Sequence, residues 1–325
     1  MSINLYDRPK LPPKSHPIES GKYIIGTKEV RRMYKTIKQW VENRAPGGIA
    51  YGRPRLGKTW AIHYLANELP IDFGEHLPIL RFRCNQNTRI NENTFYEQLL
   101  SQFGHSLPYS GRQTIKSDRL NKFLHEKAER AGCNRIVLFI DDAQRLVPLQ
   151  YNILMDIYNY LKESGINMTA ILVGQDELKH IRSSFINAKM SQIVGRFMVH
   201  EYCFSGIKSK EELKVCLEGY DNLSEFPENS GWSFTRYYFP ESYEQGFRLF
   251  NCTDELYGTY EALRKEKGIS KKLEIPMQYL TLTVEYALKK NGLEGKNVPS
   301  LLQSHWLEAI KKSGYIENEL LHELI

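Results

Sequence analysis

The chain has 325 residues, 41% hydrophobic and 25% charged, which is ordinary globular composition with apolar material for one large domain or two smaller ones. A formal net charge of +6 permits a polyanionic partner without requiring one, and no run of about eighteen apolar residues marks a membrane span. The five cysteines are odd in number, widely spaced and without a C-x-x-C pair, which argues against a disulfide framework or a zinc site and fits thiols in a reducing cytoplasm. Residues 1–20 are polar, hold four prolines and show no apolar period, so they carry no signal peptide and read as an extended arm. That arm is either a disordered tail or a docking peptide for a partner. Thr27 can cap a helix running to about Asn43, with Val30, Met33, Tyr34, Ile37 and Val41 as its apolar stripe.

Gly48–Tyr51 is a short buried strand, and it leads into Gly52-Arg53-Pro54-Arg55-Leu56-Gly57-Lys58-Thr59. This stretch fits G-x-x-x-x-G-K-[ST] without a mismatch. Glycines at those two positions let successive backbone N–H groups curl around phosphate oxygens, and the helix that follows adds its N-terminal dipole. Lys58 is placed to reach the β- and γ-phosphates of ATP, and the Thr59 hydroxyl to ligate Mg²⁺. Trp60–Leu69 continues as a helix, with Ile62, Leu65, Ala66 and Leu69 on one face.

Leu77–Cys84 reads as a second strand, 93–103 as a helix, Gly104–Ser117 as a polar loop and Asp118–Ala131 as a helix. Arg135–Asp142 is a continuous apolar run ending in acids, the mark of a central parallel strand. Tyr151–Ser164 is helical, and Thr169–Gln175 and Phe197–Phe204 are two more strands. Strands alternating with helices predict a three-layer α/β parallel sheet. After about Ser205 the pattern turns helical, over 208–218, 243–267, 276–290 and 299–313. The predicted layout is an arm over 1–20, a phosphate-loop core over 21–205, a helical lid over 206–270 and a helical C-terminal extension over 271–325.

Asp141, at the carboxyl end of its strand, can hold Mg²⁺ through water, and Asp142 can polarise an attacking water; the alternative is two acids with turn and capping duties. Gln175 follows another strand, where it either senses the γ-phosphate or serves as a turn residue. Arg196 can project into a neighbouring subunit's nucleotide, with Arg182 as its competitor. Arg248 either touches the phosphates from a lid helix or is a surface arginine.

Gly52–Thr59, Leu138-Phe139-Ile140-Asp141-Asp142-Ala143-Gln144 and Ile171-Leu172-Val173-Gly174-Gln175-Asp176-Glu177-Leu178 together resemble AAA+ ATPases of the TnsC/TniB group, the regulators of DNA transposition. The last string is also similar to secretion ATPases of the ExeA type. The resemblance covers roughly residues 21–205, and the single-ATPase length is similar to the TnsC proteins of CRISPR-associated transposons. It implies an AAA+ P-loop fold and ATP-driven head-to-tail assembly on double-stranded DNA, as rings or a helical filament. It also implies a link between a TniQ-like targeting factor and transposase subunits, with hydrolysis dismantling the assembly. Many relatives carry Asp-Glu where this chain has Asp141-Asp142; the shorter carboxylate predicts slow hydrolysis, or a water positioned by Gln175 instead.

The basic residues that can follow DNA phosphates without reading bases are Arg89, Arg112, Lys116 and Arg119, which lie in the long interval between Lys58 and Asp141. For each of them a solvated polar surface is the alternative. The protein is expected in the bacterial cytoplasm, associated with DNA and not with membrane. Rival readings are an ATP-dependent switch acting on protein partners only and a replication initiator or loader.

Overall fold

The computed structural model describes residues 8–85 and 91–324. Contacts divide the described chain into two units: a sheet unit, Arg32–Pro54 with Lys58–Phe204, and a helical unit drawn from Met1–Arg31, Arg55–Gly57 and Ser205–Ile325. In chain order the elements begin with α1 (Pro17–Ser20), α2 (Lys28–Glu42), β1 (Gly47–Tyr51), α3 (Lys58–Phe73), β2 (Ile79–Arg83), α4 (Glu92–Gln102) and α5 (Gln113–Ala131). They continue with β3 (Arg135–Asp141), α6 (Pro148–Glu163), β4 (Asn167–Gly174), α7 (Glu177–Asn187), α8 (Ser191–Phe197) and β5 (His200–Cys203).

The sheet runs β2-β3-β4-β1-β5 with every pair parallel. In β3, Ile136 to Ile140 are all buried, as a central strand covered on both faces requires. Successive strand side chains point to opposite faces. Ile136, Leu138 and Ile140 join a core with Phe95 and Leu99 of α4, Leu120 and Leu124 of α5, and Leu154 and Ile157 of α6. Val137 and Phe139, both fully buried, serve the other face. At the edge, β2 alternates instead, with Leu80 and Phe82 inward and Arg81 and Arg83 outward. The Gln102 amide closes that edge, accepting from the Arg83 N–H at 2.7 Å and donating to its carbonyl at 3.1 Å.

Because β4 lies between β1 and β3, three carboxyl ends meet along one side of the sheet: Tyr51, which pairs with Gly174, then Gly174 itself, then Asp141. Connecting segments outside such ends are where open parallel sheets build ligand sites.

Two elements differ from expectation. Phe197 and Met198 are buried in and just after α8, so β5 is only four residues long and Arg196 sits on a helix. Helix α5 starts at Gln113, which shortens the expected polar loop and moves Lys116 into the helix.

The helical unit comprises α9 (Lys210–Glu218), α10 (Phe234–Tyr238), α11 (Pro240–Glu244), α12 (Thr253–Glu266), α13 (Met277–Asn291), α14 (Gln303–Ser313) and α15 (Tyr315–Glu323), together with α1. One apolar cluster runs through it from Ile18 to Ile316, so the expected lid and C-terminal extension share a core. The expected helix over 243–267 is broken: Gly246, at φ +98°, ends α11, and a 3₁₀ turn over Leu249–Cys252 precedes α12. The buried carboxylate of Asp221 anchors that turn, accepting from the N–H groups of Leu249 at 2.9 Å and Phe250 at 3.0 Å. Arg264, equally buried, pairs with Glu319 and donates to the Tyr315 hydroxyl at 2.9 Å.

The arm is neither a loose tail nor a free peptide over its described residues. Ile18 is fully buried, and His16, only 3% exposed, caps α1 by accepting the Ile18 N–H at 3.1 Å. Its ring stacks on Tyr237 at 4.5 Å and meets Phe226, Phe234 and Tyr238 edge-on. Arg8 lies 3.8 Å over the other partner in that stack, Tyr237, and pairs with Glu294 at 2.7 Å.

Candidate nucleotide site

In the sheet unit, β1 runs into the glycine-rich loop and α3 opens at Lys58. Lys58 Nζ donates to the carbonyls of Gly52 at 2.6 Å and Arg53 at 2.7 Å, so its head lies inside the curl of the loop. Burial pushes this ammonium below its ordinary pKa, and Asp176, Asp141, Asp142 and Glu177 pull it back up. Lys58 is therefore a cation ringed by acids at the mouth of the loop.

Thr59 Oγ1 donates to Asp141 Oδ2 at 2.8 Å, which joins the start of α3 to the end of β3. The other Asp141 oxygen accepts the Asp142 N–H at 3.0 Å. A hydroxyl and a carboxylate at this spacing are hard oxygen donors of the kind Mg²⁺ selects, alongside phosphate oxygens and water, so the residues present fit that ion. Among the described residues no cluster of three or more His, Cys, Asp or Glu forms a self-contained metal cage.

Asp142 takes a left-handed backbone conformation, φ 55° and ψ 35°. Its carboxylate lies 3.4 Å from Arg83 Nε and 3.5 Å from the Gln144 amide nitrogen. The Gln144 oxygen in turn accepts the Gln175 N–H at 3.2 Å. Gln175 thus joins the site through its backbone. Sequence reasoning gave no role to Gln144 or Arg83; the available signal was the place of Gln144 two residues after the acid pair.

Of the loop, Arg55–Gly57 group with the helical unit. Arg55, at φ 67°, donates to the Tyr279 hydroxyl, and its carbonyl accepts the Gln278 N–H at 3.2 Å. Leu56 is buried, and Gly57 holds φ +103°, a conformation that side chains other than glycine's rarely adopt. Arg53 is half-buried and Pro54 exposed.

Arg196 is half-buried on α8, donating to Asn159 Oδ1 at 3.3 Å with its guanidinium 5.8 Å from the Tyr158 ring centre. Its competitor Arg182 pairs with Glu201 at 3.0 Å. Arg248 caps its own neighbourhood, donating to the carbonyls of Tyr243 and Phe247 and stacking 3.3 Å over the Tyr243 ring.

Of the basic residues assigned to DNA, Arg89 lies outside the described residues. Lys116 is a correction: it is 2% exposed, paired with Glu97 and bonded to Asn93 Oδ1 at 2.9 Å, so its charge faces the protein interior. Arg119 braces the loop before α5, donating to the carbonyls of Leu107 and Ser110, both at 2.7 Å. Arg112 stands exposed at the N-terminus of α5, next to the exposed Leu107 and Tyr109 of that braced loop.

A strand, a phosphate-type loop, a helix and an acid on the next strand but one define a P-loop nucleotide-binding unit, and the five-strand parallel order places it in the AAA+ fold. Residues 41–181 match the family described as AAA domain. No curated protein matches the sequence. Among solved structures, the fold is similar to the ORC2 protein of Aeropyrum pernix in its ADP form, with TM-score 0.59 and 16% identity over 90% of this chain and 71% of that one. The same protein in ADPNP–ADP complexes gives TM-score 0.58 and 14% identity over 92% and 72%. The Aeropyrum pernix ORC1 protein in complex with DNA gives TM-score 0.51 and 13% identity over 87% and 64%.

Proposed function

We infer that this protein is an ATP-dependent regulator of DNA transposition that assembles on duplex DNA and connects target selection to the transposase. The observation that carries the nucleotide part is the Thr59–Asp141 contact beside the half-buried Lys58. Lys58 and the loop amides bind the triphosphate, and Thr59 and Asp141 hold Mg²⁺, which supplies charge neutralisation at the phosphates. Asp142 and Gln175 orient water, and Arg196 acts on the nucleotide of a neighbouring copy. Arg248 is a phosphate contact only if its guanidinium leaves the Tyr243 and Phe247 carbonyls. Asp142 is a methylene shorter than glutamate, and hydrolysis is correspondingly slow.

Support for the transposition role comes from the string Ile171–Leu178 and its resemblance to the TnsC/TniB group. A TniQ-like factor and transposase subunits are the partners that resemblance implies. Arg112 and the loop braced by Arg119 are the elements proposed to follow DNA phosphates, so affinity falls steeply with salt and is alike for all sequences.

The fold likeness to an ORC1 protein solved with DNA favours a second reading, a replication initiator or loader. Light scattering and negative-stain imaging separate the two. The transposition reading expects large rings or filaments only when ATP and non-specific duplex are both present, and none for Lys58→Ala. Discrete complexes confined to particular sequences support the initiator reading. Assembly indifferent to ATP and to Lys58 refutes both.

A further inference from the structure

We propose that Gln144 is a positioning residue for ATP hydrolysis: its side-chain amide ties the Asp142 carboxylate, at the end of β3, to the backbone of Gln175, at the end of β4. The inference rests on the hydrolytic reading above and extends it to a residue outside the phosphate loop and the acid pair.

The direction of the amide is fixed by chemistry. The Gln175 N–H is a donor, so the group facing it at 3.2 Å must be the Gln144 oxygen. The Gln144 NH₂ is then turned toward Asp142 Oδ1, 3.5 Å away, and a carboxylate is an acceptor. Both ends of the amide therefore meet a partner of the right polarity. The other group near Asp142, Arg83, comes from an edge strand with its side chain 68% exposed, a weaker constraint than a half-buried amide held at its far end.

The strand end makes room for this amide. Gly174 has an ordinary φ, so backbone strain does not explain a glycine there. A Cβ added to Gly174 would lie 2.4 Å from the Gln144 oxygen and 2.8 Å from Leu178 Cδ1. Leu178 is fully buried, so the same Cβ would press on that side chain as well as on the amide oxygen held by the Gln175 N–H. Asp142 needs such support because its left-handed backbone is a sparsely populated conformation for a residue with a side chain, and it persists where surrounding contacts determine it.

The test uses the full-length protein with Mg²⁺ and ATP, measuring affinity for fluorescently labelled ATP, kcat and KM, and melting temperature. Gln144→Glu keeps the acceptor for Gln175 but sets a second carboxylate against Asp142. It is expected to lower kcat about tenfold or more while labelled-ATP affinity and KM stay within about twofold. Gly174→Ala, which displaces the amide without touching Asp142, is expected to shift kcat in the same direction. In a Gln144→Ala background, Gly174→Ala should lower kcat by a smaller factor than it does in wild type, because the amide's share of the clash has gone. A purely structural role would lower melting temperature and affinity together without this split. Unchanged kcat in Gln144→Glu, with a wild type that hydrolyses ATP in a Lys58-dependent way, overturns the proposal alone. A wild type that binds ATP through Lys58 but never hydrolyses it overturns the enzymatic reading and this inference together.

Discussion

Acidification should loosen the helical unit through one imidazole. Burial, and then the positive charge of Arg8, lower the His16 pKa from 6.5 to about 4. The ring is enclosed by Tyr237, Tyr238, Phe226 and Phe234, none of which offers a carboxylate to a protonated imidazole. The folded pKa lies below the unfolded value, so only the unfolded chain takes up a proton between pH 6.5 and 4. His16 therefore leaves stability intact above pH 6.5 and subtracts from it as pH falls through that window. Linkage puts the loss between pH 7.5 and 5 at about 2 kcal/mol, approaching about 3 kcal/mol below pH 4. The assay is urea unfolding at pH 7.5 and pH 5, comparing wild type with His16→Asn, which keeps a capping oxygen for the Ile18 N–H and removes the titration. The variant should lose about 2 kcal/mol less than wild type over the same interval. Parallel losses in the two proteins, or an NMR titration of the His16 ring centred near its ordinary value, would refute the reasoning.

Removing Arg264 takes the cation away from the buried Glu319, so Arg264→Ala should cost about 3–5 kcal/mol by urea unfolding. Lys116→Ala should destabilise by about 2 kcal/mol, because it leaves Glu97 and Asn93 without their cation, yet leave the salt slope of DNA affinity unchanged. Arg112→Glu should do the reverse: stability unchanged within about 0.5 kcal/mol, weaker binding to every duplex and a shallower salt slope by fluorescence anisotropy. Arg196→Ala should preserve labelled-ATP affinity in the monomer and slow hydrolysis in the assembled state; lost monomer affinity would contradict a role in a neighbouring copy.

The nucleotide half of the chain was legible because its signals are local. A loop between β1 and α3 has a fixed spacing of glycines, lysine and threonine, and β3 and β4 are unbroken apolar runs because both of their faces are covered. Elements whose pattern has two explanations were misread. Phe197 and Met198 are as apolar as strand residues, but they are buried by a helix and its exit, and no periodicity survives in so short a segment. Lys116 looks like surface charge until Glu97, 19 positions earlier, is brought against it by the pairing of α4 with α5. The Gln144 bridge was hidden for a similar reason, since its two partners come from different strands. The arm is proline-rich and aperiodic because it fills a surface of aromatic rings more than 200 positions later in the chain, where His16 meets Tyr237 and Phe226.

The docked arm also sets a timetable for synthesis. Residues 8–25 leave the ribosome well before their aromatic partners, which follow the whole sheet unit, a delay on the order of ten seconds or more at ordinary elongation rates. Through that interval Ile18 lacks the cluster partners that follow Ser205. Over that interval the arm stays open to proteases and holdases, and the gap closes once the segment Phe226–Tyr238 has emerged.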